Sequence, residues 1–509
     1  MPESLALKLF DPGMTHMHRV GLAGLYMTLK QLDPADYAEH GDWKLTDTEV
    51  EFFWTNTPRD LLGPIIEKAF GISKEGIIDF LVHRKHRIGD LEKVQIHNAI
   101  LRSFLQHGGI RKLEKKEVPL TFEYEKKKVT VLLKPLTWYQ QQEKSHLFNK
   151  NGLFKKKIKL AGWAFPGGGT RHVGFSAPTT LTNDAGLFLC LLFSPVGSLY
   201  FLISSKIQDG KYDKRKGAAI VLPHISNLKT YEYCYRNYLL SPVVKLYANS
   251  LGDAGLSALA LLNLHYEPGV LRDLEINSCS VIILGTVPWA KQQKTRTSLE
   301  QVRKINRKRL AFFDFASKIL QNKVVIKDDE SYYVQTSTAR GLVAENIAAG
   351  RPWFNDFFTI MQSKKLAYAT SFDRKGLHEM TQNERTDWPE QGDKLFVETI
   401  HNALRNRYGA LAARATVKGE KIPFDREFEK IRTSLMRAKN AQTMRAELAD
   451  LFARGGINKS LQQNWPKVLS LFTGGDWQKA RDLALLALAS YAGKGSDEIV
   501  IHKQTEDDK

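Results

Sequence analysis

GLFLCLLFSPVGSLYFLISS, residues 186–205, carries no charge over its whole length. About 20 apolar residues in a row is the length that crosses a bilayer. Here Ser194-Pro195-Val196-Gly197-Ser198 interrupts the run and leaves two apolar pieces, Leu187 to Phe193 and Leu199 to Ser204. Each is strand-length and the interruption is turn chemistry, so the stretch predicts a buried β-hairpin in preference to a membrane span. The start, Met1-Pro2-Glu3-Ser4, shows no basic segment leading into a long apolar core, so no secretory signal is expected. The expected setting is the cytoplasm, with no membrane partner.

Working outward, the middle segment reads as β-rich. Its expected strands are Ile158 to Phe165, the uncharged hairpin, Ala218 to Leu222 and Ile276 to Leu284, with a helix near Gly255 to Leu264. A strong helix follows, capped by Thr297 and Ser298 with Glu300 and Gln301 three residues on. Leu299, Val302, Ile305, Phe312, Phe313, Ala316 and Ile319 would form its apolar face as far as Gln321. Asp328-Asp329-Glu330 reads as an exposed turn between Val324 to Ile326 and Tyr332 to Val334.

Toward the N-terminus, Met17 to Gln31 reads as a helix whose Gly21 and Gly24 would permit close packing. Arg59 to Phe70, Lys74 to His83 and Asp90 to Gln106 show helical spacing, and Leu45 to Phe53 alternates like a strand. Leu120, Phe122 and Tyr124, then Val129, Val131 and Leu133, flank Glu125 to Lys128 and predict a hairpin with a lysine-rich tip. Beyond Leu395 no strand pattern appears. Leu395 to Ala412, Asp425 to Ala438, Thr443 to Phe452, Lys459 to Leu471 and Gln478 to Ala492 predict an antiparallel bundle. The fold class is therefore α+β: mixed α/β N-terminal and central regions followed by an all-α C-terminal bundle. Three domains are expected, 1–150, 151–379 and 380–509, consistent with a chain of 509 residues. Met380, ahead of the polar stretch Thr381 to Asp393, could serve as an internal start for the last of them; Met361 is the alternative.

The chain holds 74 Lys and Arg against 55 Asp and Glu, a formal net charge of +19, with a pI near 9.5. Hydrophobic residues at 43% and aromatics at 10% exclude a mainly disordered chain. Residues 151–379 carry 31 basic and 17 acidic residues, so most of the excess lies there. Such concentration points to a polyanionic partner, nucleic acid first. The three cysteines, Cys190, Cys234 and Cys279, are too few and too scattered for a disulfide framework and read as small buried residues.

No HExxH, GxSxG, EF-hand or phosphate-loop motif occurs, so no catalytic residue, metal or cofactor is assigned. His83 and His86 have a zinc-compatible spacing but lack further ligands nearby, and His16 and His18 are equally unsupported. Binding features are stronger. Lys291, Lys294, Arg296, Arg303, Lys304, Arg307, Lys308 and Arg309 face a single acid, Glu300. On the expected helix Arg303, Lys304, Arg307 and Lys308 would form one stripe able to neutralise successive phosphates; an ordinary solvated face is the plainer reading. Gly167, Gly168 and Gly169, followed by Arg171 and His172, could bring backbone N–H groups and a guanidinium to a base edge, or form a simple turn. Lys155, Lys156, Lys157 and Lys159 precede that loop. In the tail, Arg405, Arg407, Arg414, Lys418 and Lys421 could track a single strand.

Phe10-Asp11-Pro12-Gly13-Met14-Thr15, running into His18-Arg19-Val20-Gly21-Leu22-Ala23-Gly24-Leu25, resembles the large subunit of type I CRISPR effector complexes, in its MYXAN-subtype branch. Gly341-Leu342-Val343-Ala344-Glu345-Asn346-Ile347, Arg351-Pro352-Trp353 and Arg374-Lys375-Gly376-Leu377-His378 are similar to later stretches of the same branch. The resemblance implies a non-catalytic subunit of Cascade that binds the crRNA 5′ end, inspects the protospacer-adjacent motif (PAM) on target double-stranded DNA and assists R-loop formation. Its implied partners are crRNA, the target duplex, the backbone and crRNA-processing subunits, a small subunit, and a helicase-nuclease or, in members serving RNA-guided transposons, transposition proteins. The C-terminal bundle would resemble the small subunit, which some subtypes make from an internal start. No PAM-reading motif of the family is matched here. The competing readings are a metal-dependent nuclease with a divergent site and a general architectural DNA-binding protein.

Overall fold

The computed structural model describes residues 4–166, 181–204, 217–264, 276–287, 294–420, 422–456, 458–473 and 475–493, with the backbone alone for 285–287 and 294–298. Contacts divide the chain into two units. One comprises Met1–Ser204, Lys214–Arg307 and Asn322–Gln335; the other is chiefly Lys308–Gln321 and Thr336–Lys509.

In the first unit β1 (Ser4–Lys8) leads to α1 (His16–Leu29), then to the hairpin β2 (Gly41–Leu45) and β3 (Glu49–Trp54). These strands make an antiparallel sheet of order β1-β3-β2. Thr15 and His18 start α1 reciprocally: the His18 ring accepts the Thr15 N–H at 3.3 Å and lies 2.7 Å from its hydroxyl. α2 (Pro58–Ala69) begins on a Thr57–Asp60 box with Pro58 at its first position. The short pair β4 (Phe70–Ile72) and β5 (Ile78–Phe80) follows, then α3 (Leu81–Lys85) and α4 (Asp90–Leu101). The helix expected over Lys74 to His83 is thus a strand and one short turn of helix. Gly76, at φ 78°, turns the chain, and the Ser73 N–H closes the loop on Ile77 O at 2.8 Å.

β6 (Arg111–Leu113), β7 (Val118–Tyr124), β8 (Lys127–Leu133) and β9 (Leu136–Tyr139) come next. β7 and β8 are the expected hairpin, turned by Glu125 and Lys126, both at positive φ (48° and 65°) as a two-residue turn of this kind requires. Of the strand expected from Ile158 to Phe165, only β10 (Ile158–Lys159) forms, paired with β11 (Thr182–Asn183).

Residues 186–205 correct the sequence reading. The first apolar piece is a helix, α5 (Ala185–Leu192), followed by a turn of helix, α6 (Ser194–Gly197), and only the second piece is a strand, β12 (Leu199–Ile203). Asp184 caps α5 by accepting the Leu187 N–H at 2.8 Å. A helix buried all round has no polar face, so periodicity cannot separate it from a strand. β13 (Ala218–Pro223), α7 (Leu228–Leu239), β14 (Tyr247–Ala248), α8 (Leu251–Leu262), β15 (Cys279–Val287) and β16 (Lys294–Val302) complete a five-stranded sheet, β14-β12-β13-β15-β16. Its β12, β13, β15 and β16 are successively antiparallel, whereas β14 runs parallel to β12.

β16 is the second correction. The helix expected from Thr297 begins only at α9 (Arg307–Ile319), because residues 294–302 pair with β15 from Val287↔Lys294 to Cys279↔Val302. Leu299, assigned to the apolar face of that helix, is 60% exposed, while Val302 is fully buried. β17 (Lys323–Ile326) and β18 (Tyr332–Gln335) flank the Asp328–Glu330 turn as expected. The three cysteines are buried and unpaired.

The core of this unit is a helix crossing against α5 and α6. A Cβ on Gly21 would lie 1.7 Å from Cys190 O, one on Gly24 2.5 Å from Phe193 O, and one on Gly197 2.1 Å from Val20 O. Three buried tyrosines of α7 satisfy nearby carbonyls: Tyr231 donates to Gly197 O (2.6 Å), Tyr235 to Val196 O (2.8 Å) and Tyr238 to Tyr200 O (3.1 Å).

The second unit is helical from α10 (Thr338–Ala348) through α11 (Lys364–Ser371), α12 (Arg374–Gln382), α13 (Gln391–Lys418), α14 (Phe424–Arg437), α15 (Ala441–Gly455), α16 (Lys459–Thr473) and α17 (Trp477–Ser490). The five helices expected after Leu395 are α13 to α17. Trp388, between α12 and α13, packs on Trp353 and Phe354. Asp482 of α17 accepts the N–H groups of Asp356 (2.8 Å) and Phe358 (3.1 Å). Met361 and Met380 are both fully buried.

Candidate nucleic-acid interface

Where β16 gives way to α9, buried and exposed residues alternate in a way that presents cations. Val302, Ile305 and Leu310 are buried, and the Ile305 N–H donates to Asn277 O at 2.9 Å. Arg303, Lys304, Arg307 and Lys308 are exposed. Arg303 and Lys304 leave the end of a strand, whereas Arg307 and Lys308 open a helix, so the single helical stripe expected for the four does not exist. Lys308 pairs with Asp387 at 2.9 Å. Arg303, Lys304 and Arg307 make no ion pair among the described residues, and Arg309 is half-buried. Lys294 and Arg296 lie within β16; Lys291, Gly167, Gly168, Gly169, Arg171 and His172 lie outside the described residues.

On α13 the three arginines separate. Arg405 and Arg414 are exposed, as is Lys418, while Arg407 is buried and paired with Glu427 of α14. Ile400, Ala403, Leu404 and Arg407 occupy i, i+3, i+4 and i+7, which is the face that packs into the bundle. That spacing was legible and marks Arg407 as an interior cation.

Two further lysine groups are exposed: Lys126, Lys127 and Lys128 at the β7–β8 turn with Lys115 and Lys116 before it, and Lys155, Lys156, Lys157 and Lys159. His83 is buried against Phe80, and burial lowers its pKa to about 3. Among the described residues no group of three or more His, Cys, Asp or Glu could hold a metal, and no helix is long and apolar enough to cross a membrane.

Sequence reasoning missed a histidine pair. His16 at the start of α1 stacks on His224, which follows β13, with ring centroids 3.6 Å apart. Ser280 joins them, its hydroxyl 2.9 Å from His16 Nδ1 and 3.1 Å from His224 Nε2. Burial, then the Arg19 charge, lowers the His16 pKa; burial, then His16 and Arg19, lowers that of His224 to about 4. No spacing in the sequence links residues 16, 224 and 280. His18, by contrast, is structural: it is buried between Thr15 and Asn183, and burial lowers its pKa to about 4.

A chain whose first unit is mixed α/β, whose end is all-helical and whose exposed cations gather at loops and strand ends can be set against known families. Residues 6–192 match the DevT N-terminal domain and residues 382–509 the DevT C-terminal domain. The chain carries both DevT domains in order, which together with the likeness that follows supports a Cas8-like large subunit of type I CRISPR systems. It is similar to the CRISPR-associated protein Cas8a1/Csx13 of Myxococcus xanthus (strain DK1622), 27% identical over 533 residues, which cover 98% of this chain and 90% of that protein. The resemblance read from the opening motif is borne out.

Proposed function

We propose that the protein is a non-catalytic subunit of a crRNA-guided effector complex that binds the crRNA 5′ end, inspects the PAM on duplex DNA and assists R-loop formation. End-to-end similarity to Cas8a1/Csx13 carries this reading, because it spans both units of the fold. The exposed cations support it. Phosphate contacts supply affinity without reading sequence, while guide pairing supplies most of the specificity. In this reading Arg303, Lys304 and Arg307 contact backbone, Arg405 and Arg414 face the displaced strand on a small-subunit-like bundle from about residue 380, and residues 167–172 take part in motif inspection.

The deciding experiment reconstitutes the complex from crRNA, backbone subunits and this chain, and follows R-loop formation on duplexes that differ only in the flanking motif. Omitting the chain is expected to abolish motif-dependent opening; equal opening without it overturns the proposal. The purified chain is expected to leave DNA and RNA intact with Mg²⁺ or Mn²⁺, whereas a nuclease would cut without partners.

A further inference from the structure

The His16–His224 pair stands at the end of the five-stranded sheet where β13 and β16 finish and β15 begins. Ser280 pairs across the sheet with Leu222 and Gln301, so these three share one face. Cys279, Val281 and Val302 belong to the other face, packed on Gly255 of α8. Glu300 acts on Cys279, on that second face. Arg19 acts on both imidazoles, and His16 acts on His224. Arg303 and Lys304 leave β16 at the same end of the sheet and are exposed.

Three features of the corner favour an anionic ligand. The Ser280 hydroxyl has one proton, so it donates to one ring nitrogen and accepts from the other ring. The ring that accepts must carry its own proton on the far nitrogen, which gives at least one N–H not used by Ser280. Arg19 Nε is buried and has no hydrogen-bond partner among the described residues, an unfavourable state for a guanidinium N–H. The first turn of α1 contains no acidic residue, so no side-chain charge offsets the positive end of the helix there. His16, Arg19 and His224 are all only partly buried and can be reached from solvent. Phe10 lies beneath the Arg19 guanidinium, 5.2 Å from its carbon, and is 59% exposed.

We propose that His16, Arg19 and His224 form a binding site for a backbone phosphate of a nucleic acid, with the exposed Phe10 ring taking an adjacent base. A free imidazole N–H and a guanidinium lie together without a carboxylate among the groups acting on the rings, which suits a phosphate oxygen. The aromatic beside them suits a nucleotide strand better than free phosphate, because base–aromatic stacking and phosphate contact reinforce each other along a strand. This site rests on the nucleic-acid reading above and gives it a specific contact.

The test uses the full chain with three labelled probes, a short duplex DNA, a single-stranded DNA and a single-stranded RNA, titrated over a range of salt. Arg19→Gln is expected to weaken the bound probe about tenfold and to reduce the salt slope by about one phosphate contact, and His224→Gln to weaken it similarly with the slope unchanged, because a neutral ring releases no counterion. Arg19→Lys should retain most of the affinity. A wild-type chain that binds none of the probes overturns the site and the functional reading together. Wild-type binding with unchanged affinity and slope in variants that melt normally overturns the site alone. Should the variants fail to fold, histidine NMR of the wild type decides: the His16 and His224 ring resonances move on adding the probe, and static resonances overturn the proposal.

Discussion

A methyl group on Gly24 would sit 2.5 Å from the carbonyl oxygen of Phe193, and one on Gly21 1.7 Å from that of Cys190. Neither clash can be relieved by turning a side chain, since backbone meets backbone. Gly24→Ala is therefore expected to destabilise the first unit by about 3 kcal/mol, at the upper end of overpacking effects. Urea denaturation checks this, and a loss below about 1 kcal/mol would show that α1 and α6 can move apart. These glycines were legible as close-packing positions because two small residues three apart on an apolar helix have few other uses. Arg407 shows the opposite case. Its charge suggested the surface, but the i, i+3, i+4, i+7 spacing from Ile400 places it inside, where Glu427 neutralises it.

At the scale of elements, the two misread segments failed for different physical reasons. α5 is apolar throughout and buried at every position but Leu187, so its sequence lacks the polar stripe that announces a helix. β16 carried a plausible cap and a plausible apolar series, yet pairing with β15 along nine residues prevailed over local preference. Elements with one wet face, such as β7–β8, α2 and α14, were read correctly. The β16 correction changes what charge reversal should do. With the four cations on one helix, they would act as a unit. On a strand end and a helix start, Arg303→Glu with Lys304→Glu should reduce nucleic-acid affinity and salt slope separately from Arg307→Glu with Lys308→Glu. The Lys308 change should count for less, because Asp387 already partners it. Salt titrations of both double variants test this; one pair accounting for the whole loss would confine the contact to that element.

For the whole molecule, buried histidines dictate a response to acid. Burial lowers His18, His97 and His401 to about 4 and His83 to about 3, all from an ordinary 6.5. In that window the unfolded chain binds more protons than the folded one, so stability is full above about pH 6.5 and falls toward pH 4. At about 1.4 kcal/mol per pH unit, each ring contributes at most on the order of 3–5 kcal/mol. Asp482 runs the other way: burial raises it to about 6, which favours the folded state below that pH. With His224, also lowered to about 4, the balance among these groups is five against one, and the melting temperature should fall steeply between pH 6.5 and 4.5. A flat profile would contradict the burial of these rings, and His401→Gln should soften the slope. The helical end offers a second test at this scale. Arg432 of α14 donates to Met361 O at 2.7 Å, His378 Nδ1 meets Ser490 O at 3.1 Å, and Trp388 packs on Trp353. A fragment of residues 336–509 should therefore melt at a higher temperature than one of 382–509. Equal melts would show that the helices from α13 onward do not depend on those contacts. The all-helical end itself was legible from amphipathic spacing. The histidine corner was not, because its members meet only through tertiary structure.

The crossing of α1 with α5 and α6 also sets a timetable. Ser194 Oγ donates to Met17 O across 177 residues of chain, and α1 is apolar on almost every side. At about 5–20 residues per second, a ribosome needs roughly 10–35 seconds to deliver that partner after α1 emerges. Throughout that interval one of the greasiest helices of the protein lacks the helices against which most of it packs. The nascent chain should therefore lean on chaperones at this stage, and slowing translation between codons 30 and 185 should lower the yield of folded protein more than the same delay placed after codon 240.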